Sequence, residues 1–190
     1  MPPPVRHVDE PTRRPGEDRP VLTRKGRRTV TVEDLHTAAS IHEAAHAVTA
    51  IVYGIVPFSV EIERRNRLFG LPLFPGLTRY SDPRKPEVVD YSDRPDKGMV
   101  VSYVGPVAEL RAFTELGYRA SAVRGCVNRA SESDMHIASM FSRYASIDHR
   151  KARKIGEQMV DRNWSRIVRV AKALRGAGGY LTGKQVVDLL

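Results

Sequence analysis

The stretch SIHEAAHAVTAIVYG, residues 40–54, carries two histidines and a glutamate in the pattern H-E-x-x-H. Side chains four residues apart lie on one face of a helix, so His42 and His46 can bind the same metal ion through imidazole nitrogens. Glu43 then lies beside the metal, where a carboxylate can act as general base toward a water molecule. This spacing is typical of zinc-dependent hydrolysis. The competing interpretation is a packed helix that carries two hydrogen-bonded histidines.

A catalytic zinc ion takes three protein ligands, so a third ligand must come from elsewhere in the chain. The extended motif with another histidine six residues after the second has Val52 at that position, which excludes this arrangement. His36 precedes His42 by six residues and falls on a different side of the helix. The remaining candidates lie on later predicted helices: Glu109, Glu115, Glu132, Asp134, His136 and His149.

Local signals predict the elements around the motif. Thr31 with Asp34 three residues later is typical of a capped helix start, and Gly54 follows the apolar run as a stop. In FSVEIERR, residues 58–65, apolar and polar residues alternate, which predicts a half-buried strand. The stretch LFGLPLFPGLTRY, residues 68–80, predicts one or two further short strands joined by tight turns.

Three more helices are predicted after this strand region, over residues 96–116, about 132–144 and about 149–174. Gly105 and Pro106 interrupt the helical pattern of the first of them. Residues 117–131 are expected to form a link, and residues 181–190 a short amphipathic end. The predicted fold class is therefore mostly α (α+β), with a small β-sheet or hairpin between the first two helices.

The chain has 31 Lys and Arg against 22 Asp and Glu, a formal net charge of +9. Eight basic and four acidic residues fall within residues 6–28, a Pro-rich segment with few apolar residues. We expect residues 1–28 to form a disordered basic tail, and the other basic residues to cover solvated helix faces. No nucleic-acid-binding module is recognisable, so nucleic acid is an alternative partner, reached through the tail.

The single cysteine, Cys126, excludes an intramolecular disulfide, and no apolar signal segment follows Met1. The longest apolar run, residues 47–58, contains Gly54 and Pro57 and is shorter than the ~20 residues that a membrane span needs. We therefore expect a cytoplasmic protein without a membrane partner.

Three stretches, HEAAHAVTAIVYG, VGPVAELRAF and ASESDMHIASMF, occur in this order and resemble the zinc-peptidase domain of the FtsH-type AAA proteases. The C-terminal NWSRIVRVAKALRGAGGYLTGKQVVDLL is similar to the closing helices of that family. The resemblance covers roughly residues 31–190. It implies that residues 29–190 form a zincin-like helical peptidase domain that follows the tail of residues 1–28.

The resemblance also implies a site. It makes His42 and His46 ligands of Zn²⁺, Glu43 the general base and Asp134 the third ligand. An alternative for Asp134 is a capping box with Ser131, in which the carboxylate accepts a backbone N–H. Glu109 is the main competitor for the third position, because a glutamate on a second helix is the ligand in other zincins. In the resembling family the position of Glu109 is structural.

These residues lead to one functional expectation and two alternatives. The expectation is a zinc-dependent metallopeptidase that cuts extended or unfolded segments independently of ATP, alone or with a substrate-delivering partner. Because the proteases that the chain resembles form rings, a homo-oligomer is an alternative to a monomer. The first alternative is a non-catalytic, zinc-stabilised binding or regulatory domain. The second is a basic nucleic-acid-associated protein with a structural metal.

Overall fold

Six helices and three strands form the part of the chain that this computed structural model describes, which is residues 29–63, 74–80 and 94–190. The helices are α1 Val32–Val52, α2 Pro95–Glu115, α3 Ala120–Ala130, α4 Glu132–Ser142, α5 His149–Gly176 and α6 Gly183–Asp188. The strands are β1 Ser59–Ile62, β2 Gly76–Arg79 and β3 Tyr180–Thr182. The prediction of a mostly helical α+β fold with a small sheet is confirmed.

Helix α1 begins at the predicted cap. The Thr31 hydroxyl accepts the N–H of Asp34 at 3.1 Å, and the Asp34 carboxylate accepts the N–H of Thr31 at 3.0 Å. The Tyr118 hydroxyl donates to the same carboxylate at 2.6 Å, which ties the start of α1 to the region after α2. Residues 40–50 are buried without interruption, so α1 is the central helix of the fold.

Helices α1, α2 and α5 share one apolar core. Val48 on α1, Val104 on α2 and Ile167 on α5 are fully buried in it. Pro106 lies inside α2 and removes one N–H from its hydrogen-bond ladder, yet the helix continues to Glu115. The single long helix predicted over residues 96–116 therefore forms despite Gly105 and Pro106, because packing against two neighbouring helices stabilises it.

The expected link over residues 117–131 is wrong over most of its length, since residues 120–130 form α3. Val123 and Val127, four residues apart, are buried against Phe113 and Tyr118 in a second apolar cluster. This apolar pair at helical spacing was the signal for a helix. Arg124 and Gly125, which lie between the two valines, obscured it in the sequence.

The sheet is antiparallel and has the strand order β2-β1-β3. Val60 at its centre pairs with Thr78 of β2 on one side and with Leu181 of β3 on the other. The hairpin of β1 and β2 was predicted, whereas β3 was expected to be part of a helical end. Gly179 has φ +92° and a Cβ there would overlap the carbonyl oxygen of Ile62, so a glycine is needed where the chain enters β3.

Some predicted segments lie outside the described residues. They are the tail of residues 1–28, residues 68–73 of the second strand region and most of residues 81–95, a stretch rich in Asp and Pro for which the sequence predicts a loop. Among the helices that the structure describes, none combines the length and the apolar character needed to cross a bilayer.

Leu181→Ala tests the third strand. Leu181 is 4% exposed and packs in the main core, so its truncation should lower the free energy of unfolding by about 2–5 kcal/mol. Tyr180→Ser is the matched control, because Tyr180 lies on the opposite face of the strand and is 46% exposed; it should change stability by about 0.5 kcal/mol or less. Chemical denaturation measures both. Equal losses of stability in the two variants would contradict the placement of the Leu181 side chain in the core.

Candidate metal centre

Helix α1 carries the three motif side chains into the interior. The exposed fraction is 6% for His42, 7% for Glu43 and 6% for His46. The residues around them on α1 are mainly alanine and valine. Buried polar groups need partners, because an unpaired one loses its hydration without compensation. The partners of these three side chains come from α2, α4 and β2.

Helix α2 orients both imidazole rings. The Nδ1 of His42 lies 2.9 Å from the Oε2 of the buried Glu109, and the Nδ1 of His46 lies 2.8 Å from the carbonyl oxygen of Val101. A carbonyl or carboxylate oxygen only accepts, so each ring donates through Nδ1. Both Nε2 atoms are thereby directed toward the same space, as in metal sites whose histidines are held by an acceptor on the far nitrogen.

Asp134, in the first turn of α4, faces these two nitrogens. Its Oδ2 lies 3.0 Å from the Nε2 of His42 and its Oδ1 lies 3.5 Å from the Nε2 of His46. Two ligands of one tetrahedral ion with bonds of about 2 Å are about 3.3 Å apart, so both distances match a shared ion. One ligand atom from each of the three side chains lies within 4.8 Å of the others. The cluster could hold a metal ion.

Gly105 of α2 supports this interpretation. A Cβ built on Gly105 would overlap the Nε2 atoms of both His42 and His46. Any larger residue would therefore occupy the space toward which the ligand nitrogens point. The glycine that interrupted the helical pattern in the sequence keeps that space open, and the donor set and the cradle together fit a metal ion.

The other candidates for the third ligand are accounted for. Glu109 contacts His42 through the far nitrogen, so its place in the structure is that of an orienting partner. The capping box of Ser131 with Asp134 is absent, because the Ser131 hydroxyl donates to the carbonyl of Val127 and α4 has no side-chain cap. Four more candidates are exposed and lie outside the cluster: Glu115, Glu132, His136 and His149.

Glu43 is held by strand β2. The Thr78 hydroxyl lies 2.9 Å from the Oε2 of Glu43, to which it donates. A Cβ on Gly76, two residues earlier in the strand, would overlap the Glu43 side chain, so the backbone of β2 approaches the carboxylate closely. The sequence identified neither Thr78 nor Gly76 as part of the site. The Gly and Pro residues of this stretch predicted short strands and tight turns, and such a pattern cannot indicate which helix a strand contacts.

The charges in the cluster shift three pKa values. Burial raises the pKa of Glu43, and the two neighbouring imidazoles offset only part of this increase. Burial opposes the charge of His42, but the hydrogen bonds that the ring donates to Asp134 and Glu109 outweigh it and raise the pKa of His42 well above the ordinary value. Burial likewise opposes the charge of Asp134, and the contacts with His46 and His42 outweigh it and hold its pKa far below the usual range.

Asp134→Ala tests the third ligand. Removal of its carboxylate leaves two imidazoles, and we expect the affinity for a divalent metal ion to fall by about 100-fold or more. Glu132→Ala is the matched control, because it removes the same charge from an exposed position two residues away and should leave the affinity unchanged. Titration with a competing chelator measures both. Equal affinities for the two variants would exclude Asp134 as a ligand.

The raised pKa of His42 predicts proton release on metal binding. Below that pKa the ring of the metal-free protein is protonated, and a metal must displace the proton. The apparent affinity should therefore fall as the pH decreases, by about tenfold per pH unit for each proton displaced. Calorimetric titration in two buffers of different ionisation enthalpy counts the protons.

Glu109→Gln is the control for this experiment. The amide oxygen still accepts from His42, but the charge that favours the protonated ring is removed, so fewer protons should be released. An unchanged proton count in this variant, or no proton release by the wild type, would contradict the prediction.

Comparison with known proteins does not assign the chain to a family. No protein-family model matches the chain, and none of the curated proteins matches it. What the cluster can do follows from its own residues.

Proposed function

We propose that the chain is a zinc-dependent metallopeptidase. The observation that carries the proposal is the arrangement of Glu43: a buried carboxylate that is not among the three candidate ligands, next to them on the same helix and held by Thr78. Metal binding alone requires His42, His46 and Asp134. A fourth side chain, a carboxylate positioned separately from the three ligands, is what hydrolysis requires in addition.

The donor set supports zinc as the metal. Two imidazole nitrogens and one carboxylate are three ligands of the type found in catalytic zinc sites, which keep a fourth position for substrate or water. When bound, zinc supplies a Lewis acid that polarises a peptide carbonyl and lowers the pKa of a water molecule. His42, His46 and Asp134 would hold it, with Glu109 and the carbonyl of Val101 fixing the rings.

Glu43 moves the proton. Its carboxylate accepts a proton from the attacking water and passes it to the leaving amine. Burial raises the pKa of Glu43, which makes its carboxylate a stronger base than an exposed glutamate. Thr78 donates to Oε2, and this hydrogen bond holds the carboxylate in place for that role.

Strand β2 suits a peptide substrate. Within the described residues β2 is an edge of the sheet, since the strand order is β2-β1-β3. An extended peptide can pair with the free backbone groups of such an edge, and Thr78 of this strand contacts the base. We therefore infer that substrates are extended or unfolded segments, laid beside β2.

The resemblance to the FtsH-type peptidase domain agrees with this site. The stretches that carry the resemblance include all the cluster residues: His42, Glu43, His46, Gly105, Glu109 and Asp134. In that family an ATP-driven unfoldase delivers the substrate. We propose that this domain acts on segments that are already unfolded or that a partner delivers, in the cytoplasm.

Glu43→Gln tests the proposal. The amide keeps the size of the side chain but accepts no proton, so cleavage of a disordered protein such as casein should fall by about 10²–10⁴-fold while one zinc per chain remains. Metal content and cleavage rate are measured on the same preparation. Glu132→Gln, the same change at an exposed position, should cleave as the wild type does.

Two outcomes would reject the peptidase. Equal cleavage by the wild type and Glu43→Gln would show that the activity arises elsewhere. Zinc bound by every variant without cleavage by any would favour the alternative, a zinc-stabilised binding or regulatory domain.

A further inference from the structure

Helix α5 has a surface that the metal centre does not use. It is 28 residues long, about 42 Å at 1.5 Å per residue. One face is in the core, where Ile167, Val170 and Leu174 are fully buried. None of the three candidate ligands lies on α5, so a role for its outer face does not depend on the proposed peptidase activity.

The outer face is strongly basic. Helix α5 contains nine Lys and Arg residues and two acidic residues. At 100° per residue, six of the basic side chains fall within an arc of about 120° opposite the buried face. All six are exposed, and we call them the basic stripe: Arg150, Lys151, Lys154, Arg162, Arg169 and Lys172. The stripe extends about 33 Å along the helix axis.

The acidic residues of α5 do not neutralise the stripe. Glu157 pairs with Arg153 at 3.2 Å, and Asp161 pairs with Arg111 of α2 at 2.8 Å. Each carboxylate thus has a cation that does not belong to the stripe. Two stripe residues have contacts outside α5: Arg169 donates to the carbonyl oxygen of Leu189 at 2.8 Å, and Lys151 lies close enough to Asp96 to lower its pKa. A backbone carbonyl does not neutralise Arg169, so most of the charge of the stripe remains for a partner, over a length close to one turn of B-form DNA, about 34 Å.

The surface lacks what other anionic partners require. A helix that binds a membrane surface inserts an apolar face, but the apolar face of α5 is in the core and none of its large apolar side chains is strongly exposed. Protein interfaces have apolar or aromatic anchors at their centre. Trp164 is only half-buried, but the guanidinium of Arg111 lies over its ring at 4.2 Å. A row of cations without anchors suits a row of phosphates.

We propose that the basic stripe of α5 binds the phosphate backbone of double-stranded nucleic acid. Long, exposed basic side chains on one helix face neutralise phosphates and do not select a base sequence. Contact with about six phosphates gives a slope near −5 for the logarithm of affinity against the logarithm of salt concentration. The affinity should then fall by about 10³-fold between 50 and 200 mM salt.

The test measures binding of the full chain to a fluorescent 24-base-pair duplex at several KCl concentrations. In the stripe variant, Lys154, Arg162 and Lys172 are each replaced by Gln. It should bind the duplex at least about tenfold more weakly at 100 mM KCl. The magnitude of its slope of log affinity against log salt concentration should be lower by about 2–3. Circular dichroism confirms that the variant is folded.

Two controls locate the interaction. Replacement of three exposed residues by Gln, Arg119 just before α3 and Arg124 and Arg129 on α3, removes the same charge elsewhere and should leave the slope unchanged. Replacement of Arg24, Lys25 and Arg27 by Gln in the full chain tests the basic tail. A wild-type slope in the stripe variant, or a loss in either control as large as in the stripe variant, would overturn the proposal.

Competing polyanions decide the class of partner. Two competitors are tested: polyglutamate with the same number of charges as the duplex, and vesicles that contain phosphatidylserine. Both should bind the protein more weakly than the duplex does. If either binds the wild type as tightly as the duplex and with the same dependence on the stripe, the assignment to nucleic acid is wrong.

Discussion

The structure depends on the burial of three ionisable side chains in one helix. Two imidazoles and a carboxylate within five residues of α1 lose their hydration, and apolar side chains cannot form hydrogen bonds that replace it. Each has a partner: a carboxylate and a backbone carbonyl of α2 for the rings, and a hydroxyl of β2 for Glu43. These contacts determine where α2 and β2 must lie. Asp134 places α4 by the same requirement.

The positions of the partners explain what could be predicted. The spacing of His42 and His46 determines a shared face on any helix, so the motif alone was sufficient for that part of the site. Asp134 was assigned through a family resemblance, and its place beside both rings agrees with that assignment. From the residues alone it was one of six candidates, because spacing along a chain does not specify which later helix packs against α1.

The orienting groups were harder to predict for a different reason. Val101 contributes a backbone carbonyl, which every residue possesses, and Thr78 contributes a hydroxyl of a common type. Gly105 was recognisable in the sequence, but as a residue that weakens a helix. In the structure it leaves space beside the Nε2 atoms of His42 and His46. Strand β3 has three residues, too few for a pattern of alternation to be recognised, and it depends on a pairing with a distant strand.

The sheet also sets an order for folding during synthesis. Ser59 of β1 pairs with Thr182 of β3, so the central strand gains its second neighbour only after all the large helices have been made. Contacts between residues so far apart in the chain form late, because a long loop must close before they stabilise anything. The three residues of the candidate metal cluster all precede residue 135, whereas the sheet that carries Thr78 is completed later. A nascent chain can therefore bring His42, His46 and Asp134 together before the sheet that holds Glu43 is complete.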